Sequence, residues 1–458
     1  MIKFGTDGWR AVIGDQFTYE NVRRVAKAHA QVLKEKNLRR VIVGYDWRFS
    51  SELFARQVCG VFKAEGLEVF LSNSACTTPM VSFAVKYLGF EAGVMITASH
   101  NPPYYNGYKI KESFGGSATP AFVKEVESRI PLDPPHVEDI TVELKDIKNP
   151  YIEEVRNWID TEILKEESLL LVHDAMHGTS SGLFNAVLNN TRVSVLGIRS
   201  HRDPLFGNHA PEPVDRYLNP LKEKVRAVSA HIGIANDGDG DRIALVDERG
   251  NFINTQLIYA LLLLHLVKHR GFRRGCVVKT VSTTYLADRI CREEGIRIKE
   301  VPVGFKNINE IILKEEVIFG GEESGGYGIP IYLPERDGLL SGLLLLELIA
   351  LKEKRLSEIV NELQETYGKS FYRRIDLPAD LRIKDKLKRI IQDPPESLAE
   401  RSVEKVSTMD GLKLTFDDES WVLFRPSGTE PLIRVYAEAP SKEELVKLLE
   451  SATSLLRV

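Results

Sequence analysis

Residues 237–242 read DGDGDR, three aspartates at alternate positions with glycines between them. Carboxylates held that close repel one another unless a cation neutralises them. The glycines permit tight bends, and hard carboxylate oxygens suit Mg2+ or Ca2+. An EF-hand is excluded, because Arg242 stands where its glycine belongs and the flanks HIGIA and IALVD are strand-like. The better reading is one Mg2+ with an open position for a phosphate oxygen. A second stretch, ITASHNPPYYNGYKI at 96–110, is an apolar run that stops at Thr97 and presents Ser99 beside His100. It has no G-x-S-x-G pattern, so Ser99 is not a hydrolase nucleophile on an elbow. It is either an ordinary loop residue or a group with other chemistry. A third, RPSGTEP at 425–431, follows the apolar WVLF. Arg425 offers a planar fork for a phosphate, Ser427 and Thr429 offer hydroxyls, and Gly428 lets backbone N–H groups converge on an anion. In GGEESGG at 320–326, Glu322 and Ser324 suit sugar hydroxyl groups. Taken singly, these stretches also fit a solvated acidic turn, a hairpin loop and a glutamate-rich surface turn. His173 and His177 in VHDAMHG lack H-E-x-x-H spacing and end a strand, so they are not read as a metal site.

These residues need elements to hold them. Thr18 can cap a helix running to about Lys36. RRVIVGYD, LEVFLSN and AGVMIT are short β-rich runs, separated by helical patterns in SSELFARQVCGVFKAEG and TPMVSFAVKYLG. This β-α-β rhythm implies an open, largely parallel sheet. Ligands gather at the carboxyl ends of strands in such sheets, which is where AGVMIT delivers Ser99. LLLVHD, the flanks of DGDGDR, GCVVKTVS and EVIFGG are further strands ending in polar loops. After about residue 370 the rhythm changes to a β meander over 403–439, followed by a helix with Ser441 and Glu444 spaced as a capping box. No repeat is evident in the sequence.

The bulk properties narrow the function class. The chain has 458 residues, 61 basic against 65 acidic, for a net charge of −4. There is no overall basic footprint for nucleic acid, so anion binding must be local. LIYALLLLHLV and GLLSGLLLLELIAL are too short or interrupted to span a bilayer and read as buried helices. Cys59, Cys76, Cys276 and Cys291 form no C-x-x-C pair, and MIKFGTDGWR lacks a signal-peptide core. The expectation is a reduced cytoplasmic protein without nucleic-acid or membrane partners. A strand-end serine, a cation loop, a sugar-hydroxyl loop and a phosphate loop, one per section, together suggest phosphoryl transfer on a sugar phosphate.

At this point the chain resembles the α-D-phosphohexomutases over essentially its whole length. The shared motifs, in order, are FGTDGWR, TASHNP with NGYK, DGDGDR, VPVGFK, GEESGG with PERDG, and RPSGTEP. The resemblance implies an α/β fold of four domains around a central cleft. Three are related α/β domains with mixed, largely parallel sheets, and the last is a smaller α+β domain. The expected boundaries are 1–150, 151–253, 254–368 and 369–458. Ser99 resembles the family's phosphoserine. Asp237, Asp239 and Asp241 resemble its Mg2+ ligands, with one ion per chain and a phosphoserine oxygen completing the set. Arg10 and Lys109 match basic residues around the phosphoserine and in proton transfer, and His100 and Arg242 match active-site neighbours. Lys306 matches a ligand-contact loop, Glu322 and Ser324 the sugar readers, and Arg425, Ser427, Gly428 and Thr429 the distal phosphate loop. A hexose 1,6-bisphosphate is the implied activator, and the implied assembly is a monomer or homodimer.

Two departures bear on substrate. Ala11 follows Arg10 where relatives often carry glycine. Gly326 stands where phosphoglucosamine mutases and some dual-specificity relatives carry histidine. The expected activity is interconversion of hexose 1- and 6-phosphates through a bisphosphorylated sugar. Phosphoglucomutase is favoured, with phosphomannomutase activity beside it. Phosphoglucosamine mutase is the alternative within the class. A Mg2+-dependent sugar phosphatase and a non-catalytic sugar-phosphate binder are the alternatives outside it.

Overall fold

Thr18 opens the first long helix as its spacing predicts. Its side chain accepts a hydrogen bond from the Asn21 N–H, and the helix Tyr19–Glu35 buries Val22, Val25 and Val32 on one face. The computed structural model describes residues 2–138, 140–427 and 431–456.

The first sheet has six strands: β1 (Trp9–Val12), β2 (Arg40–Tyr45), β3 (Glu68–Ser72), β4 (Ala92–Ile96), β5 (Tyr105–Lys111) and β6 (Glu143–Lys145), in the order β1-β5-β4-β2-β3-β6. β2 runs parallel to β3 and β4, and β5 returns antiparallel to β4. β4 is buried along its whole length, as its uninterrupted apolar run requires of a strand covered on both faces. Residues 134–138, which begin with Pro134 and Pro135, form neither helix nor strand. β6 follows them and still belongs to the first sheet, beside β3.

The second sheet contains β7 (Leu170–Asp174), β8 (Ser194–Ile198), β9 (Ile232–Asn236), β10 (Ile243–Asp247) and β11 (Phe252–Ile253), ordered β11-β10-β9-β7-β8. The third contains β12 (Cys276–Thr280), β13 (Arg297–Val301), β14 (Val317–Gly321) and β15 (Tyr327–Gly328), ordered β13-β12-β14-β15. The three α/β domains are related as the resemblance implies, through a common unit that no repeat in the sequence displays. In each sheet the first strand of the unit pairs in parallel with the second and third, and a fourth returns antiparallel to the third. The turn between third and fourth strands holds Ser99 in the first unit, DGDGDR in the second and GEESGG in the third.

The C-terminal part contains β16 (Phe371–Pro378), β17 (Ser397–Leu398), β18 (Arg401–Ser402), β19 (Lys405–Ser407), β20 (Leu412–Thr415), β21 (Trp421–Pro426) and β22 (Leu432–Ala439). β19 to β22 form the expected meander, and β16 adds to its far edge. Ser441 caps the final helix by accepting from the Glu444 N–H. The first unit and the C-terminal part each have a separate core, around Phe62 and Val94 and around Phe424 and Leu449. A third and larger core runs from Phe70 and Met80 of the first unit through Leu171 and Ile234 of the second and Leu343 to Phe319 of the third, and takes in Trp421 and Tyr436 of the C-terminal part. The helix Gly338–Lys352, apolar on all sides, is buried from Gly338 to Ala350 within it. Among the described residues no helix is long and apolar enough to cross a membrane.

Candidate active site

The three turns meet. Ser99 is fully buried at the end of β4, and its Oγ donates to Asp237 Oδ2 at 2.6 Å. His100 Nδ1 lies 3.3 Å from the same Oγ. Asp237, Asp239 and Asp241 are all buried, with one carboxylate oxygen from each inside a 4.8 Å group that could hold a metal ion. Gly238 is glycine because a Cβ there would stand 2.7 Å from the Ser99 carbonyl oxygen. The flanks of DGDGDR are the antiparallel pair β9 and β10, so the EF-hand is ruled out by geometry as well.

Lys109, on β5, supplies positive charge. Its Nζ is 2.8 Å from Asp239 Oδ2, 3.0 Å from Asp241 Oδ2 and 2.7 Å from Asp7 Oδ2. Thr78, from the first unit, also donates to Asp239. Burial alone would lower the Lys109 pKa, but these three carboxylates reverse that and hold it above its usual value. Burial and the other two aspartates push Asp237 well up. For Asp239, burial is outweighed by Lys109 and the hydrogen bonds to it, and the carboxyl stays below its usual range. Among the described residues, Asp239 Oδ1 and Asp241 Oδ1 are buried without a hydrogen-bond partner. Arg242 Nε is 3.9 Å from that Asp241 oxygen. Arg10 donates to Asn101 Oδ1 at 2.7 Å and lies 3.5 Å from Asp7. His100 is held neutral, first by burial and then by Arg242, Arg10, Lys109 and Arg48.

The third unit joins through Arg336, in the PERDG motif. Its Nη2 is 2.8 Å from Asp241 Oδ2 and 2.6 Å from Asp7 Oδ2, and its Nη1 is 3.5 Å from Glu322 Oε2. Glu322 is buried and accepts from the Gly304 N–H at 3.0 Å. Burial raises its pKa to about 7, with Arg336 opposing the rise. The Ser324 hydroxyl oxygen is buried with no partner among the described residues. Lys306 lines a small cavity with Thr6, Asp7 and Ser117. In the C-terminal part, Arg425 Nε donates to Asp410 Oδ2 at 2.7 Å, and Asp410 also accepts from the Val303 N–H. Ser427 N–H bonds the Leu432 carbonyl. Gly428 and Thr429 lie outside the described residues.

A continuous run of contacts therefore links Ser99 through Asp237, Asp241, Arg336 and Glu322 to Gly304, and the adjacent Val303 through Asp410 to Arg425. Reading by residue type missed Asp7, Arg336, Thr78 and Asp410. Asp7 and Arg336 sit inside the shared motifs FGTDGWR and PERDG, a usable signal. Thr78 and Asp410 carried none, since only the fold brings them to the site. Of the two histidines in VHDAMHG, His173 Nε2 bonds Asn236 Oδ1 and His177 Nδ1 bonds the His201 carbonyl.

Three like α/β units, each lending one strand-end turn to a shared site, and a smaller C-terminal domain define the α-D-phosphohexomutase class. Residues 1–133, 149–250 and 254–367 match the phosphoglucomutase/phosphomannomutase alpha/beta/alpha domains I, II and III, and 378–454 match the C-terminal domain. A phosphoglucomutase/phosphomannomutase of Thermococcus kodakarensis is 32% identical, covering 99% of this chain and 98% of that one. A protein of Pyrococcus furiosus named "Probable phosphoglucosamine mutase" is 33% identical, covering 99% and 97%. The crystal structure of a Thermus thermophilus protein superposes with a TM-score of 0.89 at 36% identity, covering 99% of each chain. The chain belongs to the phosphoglucomutase/phosphomannomutase family of phosphohexomutases, which are isomerases that relocate a phosphoryl group on a sugar.

Proposed function

We propose that the chain interconverts glucose 1- and 6-phosphates, with mannose phosphates as secondary substrates, by way of a phosphorylated Ser99. The observation that carries this reading is the Ser99 Oγ, buried at a strand end and 2.6 Å from one carboxylate of the triple-aspartate cluster. The cluster fits Mg2+: its donors are hard oxygens, and two of them are buried without partners. Asp237, Asp239 and Asp241 would hold the ion, which supplies positive charge to offset that on phosphoryl oxygens.

The substrate's phosphate rests on the Arg425 loop, and its free hydroxyl faces phospho-Ser99. The hydroxyl oxygen bonds to phosphorus, the phosphorus–Oγ bond breaks, the leaving Ser99 Oγ takes up a proton, and the hydroxyl proton passes to a base. His100, neutral and 3.3 Å from Oγ, is suited to accept it. Lys109 and Arg10 offset charge in transfer, so positioning and electrostatics do most of the work. The bisphosphorylated sugar then turns, its other phosphorus bonds to Ser99 Oγ as the Oγ proton leaves, the bond from that phosphorus to the sugar oxygen breaks, and the sugar oxygen takes up a proton. Hexose 1,6-bisphosphate would thus charge a dephosphorylated enzyme. Glu322 and the unpartnered Ser324 hydroxyl read sugar hydroxyls in both orientations.

Gly326 supports the glucose preference, since no imidazole reaches the sugar from that position. Phosphoglucosamine mutase is the second reading, favoured by the name of the Pyrococcus furiosus relative. The test is a coupled assay of glucose, mannose and glucosamine 1-phosphates with Mg2+ and catalytic bisphosphate. Glucose 1-phosphate should turn over fastest, and dominance of glucosamine 1-phosphate would reverse the assignment. Ser99→Ala should abolish turnover and remove a phosphate seen by intact-mass spectrometry. An active alanine variant would exclude the phosphoserine route.

A further inference from the structure

The backbone at Ser99 has φ +51°, in the left-handed region that a serine avoids without outside support. That support comes from Arg48, whose side chain is completely buried. Its Nη2 donates to the Ser99 carbonyl at 2.6 Å and to the Asn101 carbonyl at 2.7 Å. Its Nη1 donates to the Pro102 carbonyl at 2.8 Å and to the Tyr105 carbonyl at 3.1 Å. One guanidinium thus ties three carbonyls of the loop that joins β4 to β5 and that of Tyr105, the first residue of β5. Its Nε lies 3.3 Å from Asp46 Oδ2 as an ion pair without hydrogen-bond alignment. Asp46 completes the frame by accepting from the Thr97 hydroxyl at 2.6 Å, and Thr97 Oγ1 accepts from the Ser99 N–H at 2.9 Å. Both peptide groups flanking the serine are therefore held by this pair.

The outer face of the guanidinium is covered from the second unit. The Phe206 ring centroid lies 4.9 Å from the Arg48 Cζ, and Phe206 is itself fully buried with φ +50°. A desolvated aromatic face over a guanidinium is a strong cation–π arrangement. The Ser99 carbonyl also sits against Gly238 of the metal loop, within 2.7 Å of where a Cβ would be. The carbonyl is thus pinned between the cation loop and the Arg48 fork.

We infer that Arg48 is the positioning residue that aims Ser99 Oγ at the cation cluster, and that Phe206 makes this aim depend on the seam between the first and second units. Arg48 touches no reacting atom and acts through the Ser99 backbone. A lysine keeps the charge but presents its donors at one point, where four carbonyls need a fork. The inference rests on Ser99 being the phosphoryl carrier.

The experiment uses the full chain with Arg48→Lys, Phe206→Leu and Phe206→Tyr. Thermal unfolding, steady-state kinetics on glucose 1-phosphate, and the rate at which glucose 1,6-bisphosphate phosphorylates Ser99 by intact mass are measured together. For Arg48→Lys the expected result is an unchanged KM with kcat and phosphorylation rate both lower by about ten- to a hundred-fold, the scale of a small misplacement of a reacting atom. Phe206→Leu should lose several-fold in kcat at unchanged KM, and Phe206→Tyr, which restores the aromatic face, should recover the parent value. A folded Arg48→Lys with parent kcat and phosphorylation rate overturns the inference. If Arg48→Lys does not fold, equal kcat in the Phe206→Leu variant and the parent overturns it instead. Peptide mapping of the parent separates the premise: phosphate on a residue other than Ser99 refutes the carrier assignment, whereas phosphate on Ser99 with parent-like variants refutes the role of Arg48 alone.

Discussion

Gly326→Ala tests why this chain has glycine where some relatives carry histidine. An added Cβ would lie 2.4 Å from Arg336 Cδ and 3.1 Å from its Cγ. These atoms are mid-chain in a side chain only 3% exposed, so they cannot swing away freely. If Arg336 retreats, it gives up Asp7 at 2.6 Å and Asp241 at 2.8 Å. Charge-assisted hydrogen bonds are worth about 1.5–3 kcal/mol each, so that route costs about 3–6 kcal/mol. Local crowding with shifted backbone costs about 1–3 kcal/mol. The cheaper route sets the outcome, and the expected destabilisation is about 1–3 kcal/mol. In a unit of this size each kcal/mol lowers Tm by about 4 °C. Glu322, 3.5 Å from Arg336, moves with it, so KM should rise as kcat falls. Calorimetry and steady-state kinetics on Gly326→Ala, Arg336→Ala and the double variant form a cycle. The double variant should be no worse than Arg336→Ala alone, because removing the guanidinium chain removes the clash. Parent Tm and kcat in Gly326→Ala would refute the reasoning.

Three further outcomes follow from the site and the core. Asp239→Asn should weaken activation by Mg2+ and depress turnover while the fold is kept, measured by Mg2+ titration beside thermal unfolding; full activity in excess chelator would contradict it. Arg425→Lys should weaken substrate binding about ten- to a hundred-fold, since a lost charge-assisted bond is worth about 1.5–3 kcal/mol, and should release more bisphosphorylated sugar; parent values for KM, kcat and leakage would remove Arg425 from phosphate binding. His29, buried against the Tyr108 hydroxyl at 3.0 Å, has its pKa lowered to about 3 by burial. The unfolded chain, with histidine near 6.5, binds that proton first as the pH falls. The contribution of neutral His29 is therefore complete above pH 6.5 and is lost progressively toward pH 3, by about 2–3 kcal/mol at pH 4.5. Denaturant unfolding of the parent and His29→Gln between these pH values should show a flatter slope in the variant; equal slopes would remove His29 from the acid response.

Residue types and their spacing dictate the kinds of chemistry available. Alternating carboxylates in DGDGDR repel one another and favour a neutralising cation, and an apolar run ending at Thr97 places Ser99 at a strand end. Local periodicity also determined the first helix and its Thr18 cap, the buried helices, and the change to a β meander. Such signals depend on neighbouring residues and survive without knowledge of the fold. The sequence did not show that three turns occupy the same place in three like units, because sheet order is set by pairings between distant strands. Only the tertiary structure placed Lys109 between Asp239 and Asp241, and Arg336 between Asp241 and Glu322. It alone made Arg48 a frame for Ser99, with Phe206 reaching over it from another unit. The physical reason is burial: an arginine in a sequence reads as a solvated charge, and only packing that removes water forces its fork onto the four carbonyls that hold the serine.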